Sequence, residues 1–298
     1  MSTIKNYLSL VKFSHTIFAM PFAMIGFFLG MTFSKEYQPG PISTVVNIFA
    51  LKLVLVILCM VFARSAAMAF NRYLDRNFDA RNPRTAIREI PKGIISANSA
   101  LNFTIVSCLF FTATTFFINR ICFFLSPVAL FVILFYSYTK RFTPLCHLVL
   151  GLGLSLAPIG AYLAVTGKFS LIPILFSFAV IFWVSGFDII YALQDEEFDR
   201  SQNLYSIPSW LGKSKALRFS EILHLLSAAC VISAGLAGNF GWWYWIGVAV
   251  FVSMLIYQHS IVKPNDLSKV NLAFMTANGI ASVIFAVFVI ADIFLKPH

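Results

Sequence analysis

The sequence predicts an all-α protein: a polytopic membrane bundle of nine transmembrane helices around a central cavity, arranged as two related halves. Three observations carry that expectation. Apolar runs of about 20 residues, enough helix to cross the hydrocarbon of a bilayer, recur along the whole chain. The chain is 59% hydrophobic and 11% charged, with a mean hydropathy of +0.83, whereas soluble domains are about a quarter charged. Lys and Arg also alternate between the two ends of successive runs, as topology signals do.

The spans fall at 15–34, 44–70, 99–118, 121–138, 147–166, 170–193, 219–238, 240–258 and 271–295. The first follows Lys5 and Lys12 without a small-residue cleavage site, so it reads as a retained helix and not a signal peptide. No Arg- and Ser-rich transit segment precedes it, which favours a prokaryotic cytoplasmic (inner) membrane. The second carries Lys52 and Arg64 within its apolar run and meets a charged segment at Asn71. The fourth and fifth are set off only by short loops. The eighth opens on Trp242-Trp243-Tyr244-Trp245, which reads as an interfacial aromatic belt. The 33 Phe residues suit a lipid-facing surface. Residues 1–298 are expected to form a single transmembrane domain.

With the N-terminus in the cytoplasm, sixteen of the 22 Lys and Arg fall inside. Only Lys35, Arg120, Lys168 and Lys296 fall outside. An eight-span parse would break this alternation. The net charge of +10 therefore reads as a topology signal and not as a nucleic-acid surface, and no nucleic-acid partner is expected. The five cysteines show no paired spacing, so neither a disulfide framework nor a zinc site is expected. His15, His147, His224 and His259 are scattered without ligand spacing and read as packing or interfacial residues.

The chemistry concentrates in two segments. Asn71, Asp75 and Asp79 are spaced i, i+4, i+8 on one helical face, and Asp188, Tyr191, Asp195 and Asp199 follow i, i+3, i+7, i+11 on another. Of only twelve acidic residues, seven (Asp75, Asp79, Asp188, Asp195, Glu196, Glu197 and Asp199) lie there. Both segments end a span at the cytoplasmic side. A shift of 120 residues superposes Asp75 on Asp195 and Asp79 on Asp199, which suggests two related halves feeding one cavity. Two carboxylate faces around one cavity suit Mg²⁺, which takes a few carboxylates and completes its shell with phosphate oxygens and water. Arg72, Arg76, Arg81, Arg84, Arg88, Lys92, Lys140 and Arg141 sit beside them as cations suited to phosphate. Acid, metal, phosphate and base together fit a phosphorylated substrate whose lipid part reaches into the membrane. Arg64 shares the face of Asn71 and Asp75, two to three turns deeper. An isolated Arg there costs about 2.5–3.5 kcal/mol on insertion scales. It needs either Asp188 as a counter-charge or an anionic group on a small substrate.

At these residues the chain resembles the UbiA superfamily of intramembrane aromatic prenyltransferases. NxxxDxxxD is met by Asn71, Asp75 and Asp79, and DxxYAxxDxxxD by Asp188, Tyr191, Ala192, Asp195 and Asp199. The loop Arg84-Thr85, Arg88, Pro91 and Gly93, and the Tyr136, Lys140, Arg141 ending of the fourth span, also match. Together with the span count, the resemblance covers nearly the whole chain. It is similar above all to the 4-hydroxybenzoate polyprenyltransferase group, which shares an Arg at the place of Arg64. Arg88-Glu89-Ile90-Pro91 departs from the usual Arg-Pro-Leu-Pro. With Asn82-Pro83-Arg84-Thr85, it is similar to a branch that prenylates a dihydroxynaphthoate for menaquinone through futalosine.

The resemblance implies a mechanism. Asp75 and Asp79, with Asn71, would hold one Mg²⁺ on a polyprenyl diphosphate, and Asp195 and Asp199 another. Lys140, Arg141 and Arg84 would neutralise phosphate charge, with Arg88 and Tyr191 also contacting substrate. An allylic cation would then be attacked by the ring carbon ortho to the hydroxyl of a hydroxy-aromatic acid. Asp188 would orient the phenol or help remove a proton, and Arg64 would fix the carboxylate. The isoprenoid tail would pass between helices into membrane lipid. Two other readings remain: a CDP-alcohol phosphotransferase, whose DGxxAR pattern is absent, and a cation-coupled transporter gated by Asp188 and Arg64.

Overall fold

The computed structural model describes residues 3–11, 18–33 and 42–296. The positions of Lys12, His15 and Lys35 lie outside the described residues, as do the ends of the first predicted span. Among the described residues the chain is helical, and eight helices are long and apolar enough to cross a membrane. The shorter apolar helix Met20–Phe33 stands where the first of the nine spans is expected.

The elements run in order as α1 (Thr3–Leu10), α2 (Met20–Phe33), α3 (Ile42–Arg81), α4 (Ala97–Ile118), α5 (Arg120–Thr139), α6 (Cys146–Thr166) and α7 (Leu171–Ala192). A 3₁₀ turn, Leu193–Asp195, leads into α8 (Glu196–Ser201), followed by α9 (Ile207–Leu211), α10 (Lys213–Ala237) and α11 (Trp242–Ile261). A π-helical turn, Leu272–Ala277, opens into α12 (Asn278–Leu295). Two bounds differ from expectation. α3 continues 11 residues beyond residue 70, and α10 begins at Lys213, before residue 219. Polar residues end a membrane span without ending a helix. α3 stops only where Pro83 removes a backbone donor and disfavours helical geometry at Asn82.

Neighbouring helices lock through small residues, as membrane bundles require close backbone approach. A Cβ at Gly151 of α6 would stand 2.5 Å from the Ile181 carbonyl of α7, so this crossing needs glycine. Asn119 joins three helices at the end of the bundle away from Asp75. Its side chain accepts from Cys122 N at 2.9 Å, capping α5, and donates to the Leu163 and Ala164 carbonyls of α6 at 2.8 and 3.2 Å.

The main core is aromatic. Phe22, Trp183, Phe251 and Phe285 are fully buried, with Trp183 5.3 Å from Phe22 and 5.8 Å from Phe251 between ring centroids. One polar network crosses it. Asn278 Oδ1 accepts from Trp183 Nε1 at 2.9 Å and from Gln258 Nε2 at 2.8 Å. Its amide donates to the carbonyls of Ala273 and Phe274 in the π turn. Phe116, Phe117, Phe124 and Phe131 are exposed on α4 and α5, a face suited to lipid. Of the expected aromatic belt, Trp242 is 86% exposed but Tyr244 is buried, its hydroxyl donating to the Val231 carbonyl. Tyr244 is therefore a core residue, because its helix turns it inward under the Asp292 carboxylate that caps α11 through Gly241 N at 2.7 Å. His224 packs as expected, with Nδ1 2.9 Å from His259 Nε2. All five cysteines are free.

Candidate active site

The C-terminal turns of α3 and α7 meet at one end of the bundle. There, with the end of α5 and the start of α6, they enclose a cavity of about 720 Å³. Asp75, Asp79, Asp195 and Asp199 all line it, together with Asn71, Tyr191, Asp188 and Arg64. The helical spacing works as expected on α3, where Asn71 Nδ2 donates to Asp75 Oδ2 at 3.2 Å.

Basic side chains sit directly on these carboxylates. Asp75, 2% exposed, takes Lys140 Nζ at 2.6 Å and Arg141 Nη2 at 3.1 Å from the end of α5. Arg141 also donates to the carbonyls of Ser137 and Leu74, which fixes its fork. Asp79 takes Arg88 Nη1 at 2.6 Å on one oxygen, while its Oδ2 is buried and unpartnered. Across the cavity, Asp195 is gripped by Arg84 through both oxygens, with Nε at 2.9 Å from Oδ1 and Nη2 on Oδ2. Asn82 Nδ2 adds a third bond to Asp195 at 3.1 Å.

Arg84 reaches Asp195 because Asn82 accepts from Arg84 N at 2.9 Å, forming the turn that follows α3. Its Nη1 donates to the Tyr191 hydroxyl at 2.9 Å, and its guanidinium lies over the Tyr191 ring. Burial works to lower the Arg84 pKa, but the bonds and charge of Asp195 outweigh it and hold the guanidinium above its ordinary value. Arg84 therefore remains a fixed cation that crosses from the first acidic segment to the second. Arg81 Nη1 to Gln202 Oε1, 3.1 Å, and Tyr205 N to the Lys140 carbonyl, 2.7 Å, close the same ring of helix ends.

The deeper wall departs from expectation. Asp188 does not pair with Arg64: its Oδ2 stands 2.7 Å from Nδ1 of His147 at the start of α6. His147 is a cavity residue and not a packing histidine. Nothing in local spacing reveals this, since 41 residues separate the pair. Arg64 has no ion pair among the described residues, and its Nε is buried without a partner. The same holds for Nε of Arg72, which lies on α3 and lines the cavity. Arg76, Arg81, Lys92 and Arg141 do not line it: Arg76 folds back onto the Tyr73 carbonyl at 2.6 Å, and Arg141 stands behind Asp75. At Arg64, Tyr136, Leu150 and Leu154 the polar cavity adjoins a second, apolar chamber of about 390 Å³ between α3, α4, α5 and α6.

Residues 17–280 match the UbiA prenyltransferase family. The chain belongs to that family. It is 29% identical over 238 residues to a 4-hydroxybenzoate octaprenyltransferase from Nitrosospira multiformis, covering 78% of this chain and 80% of that protein. Its fold is similar to the apo structure of a UbiA homolog from Aeropyrum pernix K1, with TM-score 0.76 and 29% identity over 95% of this chain and 98% of the other. A UbiA homolog from Archaeoglobus fulgidus bound to GPP and Mg²⁺ shares the fold at TM-score 0.69 and 20% identity, covering 97% of this chain and 99% of that one. The protein is thus a multi-pass membrane prenyltransferase of the UbiA family, which sets aside the transporter and the CDP-alcohol phosphotransferase. The two acidic UbiA motifs fall on α3 and on the α7–α8 segment, facing each other across the cavity.

Proposed function

We propose that this UbiA-family enzyme transfers a polyprenyl group from a polyprenyl diphosphate to a ring carbon of a hydroxy-aromatic acid of the 4-hydroxybenzoate type, with Mg²⁺. The observation that carries this reading is the convergence of five aspartates and five cations (Arg64, Arg72, Arg84, Arg88 and Lys140) in one cavity beside an apolar chamber. A diphosphate with a long isoprenoid tail has the same polarity profile.

The residues fit Mg²⁺. Asp75, Asp79, Asp195 and Asp199 offer only hard oxygen donors, and the buried Asp79 Oδ2 lacks a partner. Among the described residues no three acidic or imidazole groups converge closely enough to hold an ion unaided. Bound there by Asp75 and Asp79 and by Asp195 and Asp199, Mg²⁺ would act as a Lewis acid on the leaving diphosphate. Lys140, Arg141, Arg84 and Arg88 hold the aspartates in place, and Lys140, Arg84 and Arg88 supply donors to phosphate oxygens. The apolar chamber takes isoprenoid units and keeps water from the allylic carbon. Arg64 binds the acceptor carboxylate.

The active-site end faces the cytoplasm of an inner membrane, in accordance with the Lys and Arg distribution. A dihydroxynaphthoate is the second acceptor reading, favoured by Glu89 in place of the usual Pro. The test is to incubate purified protein with Mg²⁺, a polyprenyl diphosphate and either 4-hydroxybenzoate or a dihydroxynaphthoate, and to weigh the product. A mass increase by the prenyl group on one acceptor assigns it; no prenylated product from either refutes the reading.

A further inference from the structure

Six buried side-chain atoms of the cavity lack partners: Arg64 Nε, Arg72 Nε, Asp79 Oδ2, Glu89 Oε2, Ser137 Oγ and His147 Nε2. Arg64 Nε is a donor without an acceptor. His147 Nε2 is unpartnered as well. Asp188 Oδ2 stands 2.7 Å from Nδ1; in the neutral ring this carboxylate bond keeps the proton on Nδ1 and leaves Nε2 as the acceptor. The Ser185 hydroxyl donates to the His147 carbonyl at 3.0 Å, which ties this turn of α6 to α7, and the glycine at 151 keeps the two helices close. His147 is 4% exposed, so its ring is set by packing and by Asp188. Buried polar groups ordinarily find partners. Among these, the Arg64 guanidinium and the His147 imidazole complement a ligand with an anionic acceptor at one end and a hydroxyl donor at the other. A hydroxy acid has that pattern, carboxylate to Arg64 and hydroxyl to His147.

We infer that His147 is a catalytic residue that accepts the hydroxyl proton of the aromatic acceptor through Nε2, with Asp188 as its positioning residue. The inference rests on the prenyl-transfer reading above. As the allylic carbon–oxygen bond to diphosphate breaks and the new carbon–carbon bond forms ortho to the hydroxyl, the hydroxyl proton passes to Nε2. The ring is then a neutral dienone and His147 an imidazolium held by Asp188. Loss of the ring proton from the newly substituted carbon to the departing diphosphate, with return of the His147 proton to oxygen, restores the phenol and the neutral imidazole. No oxidant or further reactant is needed.

The test compares wild type with His147→Gln and Asp188→Asn on two acceptors. One is 4-hydroxybenzoate; the other is a ring-nitrated or ring-fluorinated analogue that keeps one free ortho carbon and whose hydroxyl is already ionised at the assay pH. The ratio of wild-type to variant kcat/KM cancels each ring's intrinsic reactivity. For the un-ionised acceptor it is expected to be ~100 or more, the usual worth of a general base, and to shrink to within ~3 for the ionised one. The KM for polyprenyl diphosphate is expected to stay within about twofold, because neither residue is assigned to the diphosphate end. Equal ratios for both acceptors would make His147 structural, and a ratio near one for 4-hydroxybenzoate would make it idle; either overturns the inference. If one variant fails to fold, the other supplies the same ratio. If neither folds, wild type alone decides across a series of acceptors: a rate advantage for ionised over un-ionised hydroxyls as large as in solution leaves no base to be found. Wild type that prenylates no hydroxy-aromatic acid fails the underlying reading instead, and is told apart because it needs no variant.

Discussion

Asp75 is the most buried carboxylate of the cavity, and replacing it with Asn gives the sharpest expectation. Asp75→Asn keeps the shape and the bond from Asn71 but removes the charge that Lys140 and Arg141 share. Charge-assisted hydrogen bonds are worth about 1.5–3 kcal/mol each. Lys140 and Arg141 side chains are 29% and 20% exposed, so water compensates part of the loss. The expected destabilisation is therefore about 2–3 kcal/mol in all, not twice the upper figure. The effect on turnover is larger, because Asp75 would hold the Mg²⁺ and positions Lys140, and losing one preorganised stabiliser of charge developing on a leaving group costs about 10²–10³ in kcat. Lys140→Met should cost a similar factor, and the double variant should cost far less than the product of the two, since the pair acts as a unit. The assay is the initial rate of prenyl transfer in detergent or in vesicles without any ion gradient, alongside a melting curve. Folded Asp75→Asn protein with kcat within threefold of wild type, or strict multiplicativity of the two singles, would refute the reasoning.

The other expectations follow from the same geometry. Removing divalent ions with a chelator should abolish transfer and Mg²⁺ should restore it; activity that survives chelation denies the aspartates their metal. Arg64→Ala should raise KM for a carboxylated acceptor by about tenfold or more while leaving the same phenol without its carboxylate unaffected, measured as a KM ratio. Gly160 lines the apolar chamber and a Cβ there meets nothing within 4 Å, so Gly160→Phe should fold and shift preference to shorter prenyl diphosphates, read by competition between chain lengths. Asp292→Ala removes the carboxylate that caps α11 and should lower stability by about 1–2 kcal/mol without changing the KM of either substrate.

The nine-span pattern was legible because hydrocarbon thickness imposes a length on each apolar run, and eight long helices plus Met20–Phe33 follow it. The acidic faces were legible for a similar reason: the spacing of Asn71, Asp75 and Asp79 is a helical one, and the helix persists through them. What the sequence hid was long-range. Arg64 and Asp188 both lie deep and carry opposite charge, yet the partner of Asp188 is His147, brought in by the α6–α7 crossing. Spacing could not separate the cations either. Arg84 and Arg88 turn into the cavity because the Asn82 turn directs them, while Arg76, eight residues before Arg84, bonds its own helix. Tyr244 looked interfacial beside three tryptophans, and only the tertiary fold turns it to the core.

The π turn at Leu272–Ala277 has a consequence for how this enzyme can change. It holds one residue more than an α-helical turn needs, and Asn278 accommodates the displaced carbonyls. Phe274, within it, lies 4.2 Å from the ring of Tyr191 and forms part of the cavity wall. Dropping a single residue there would swing Phe274 by about 100° around its axis while leaving the seating of α12 on its neighbours nearly intact. The spare residue thus works as a local adjuster, through which the shape offered to a substrate can be retuned without re-threading the last helix through the bilayer.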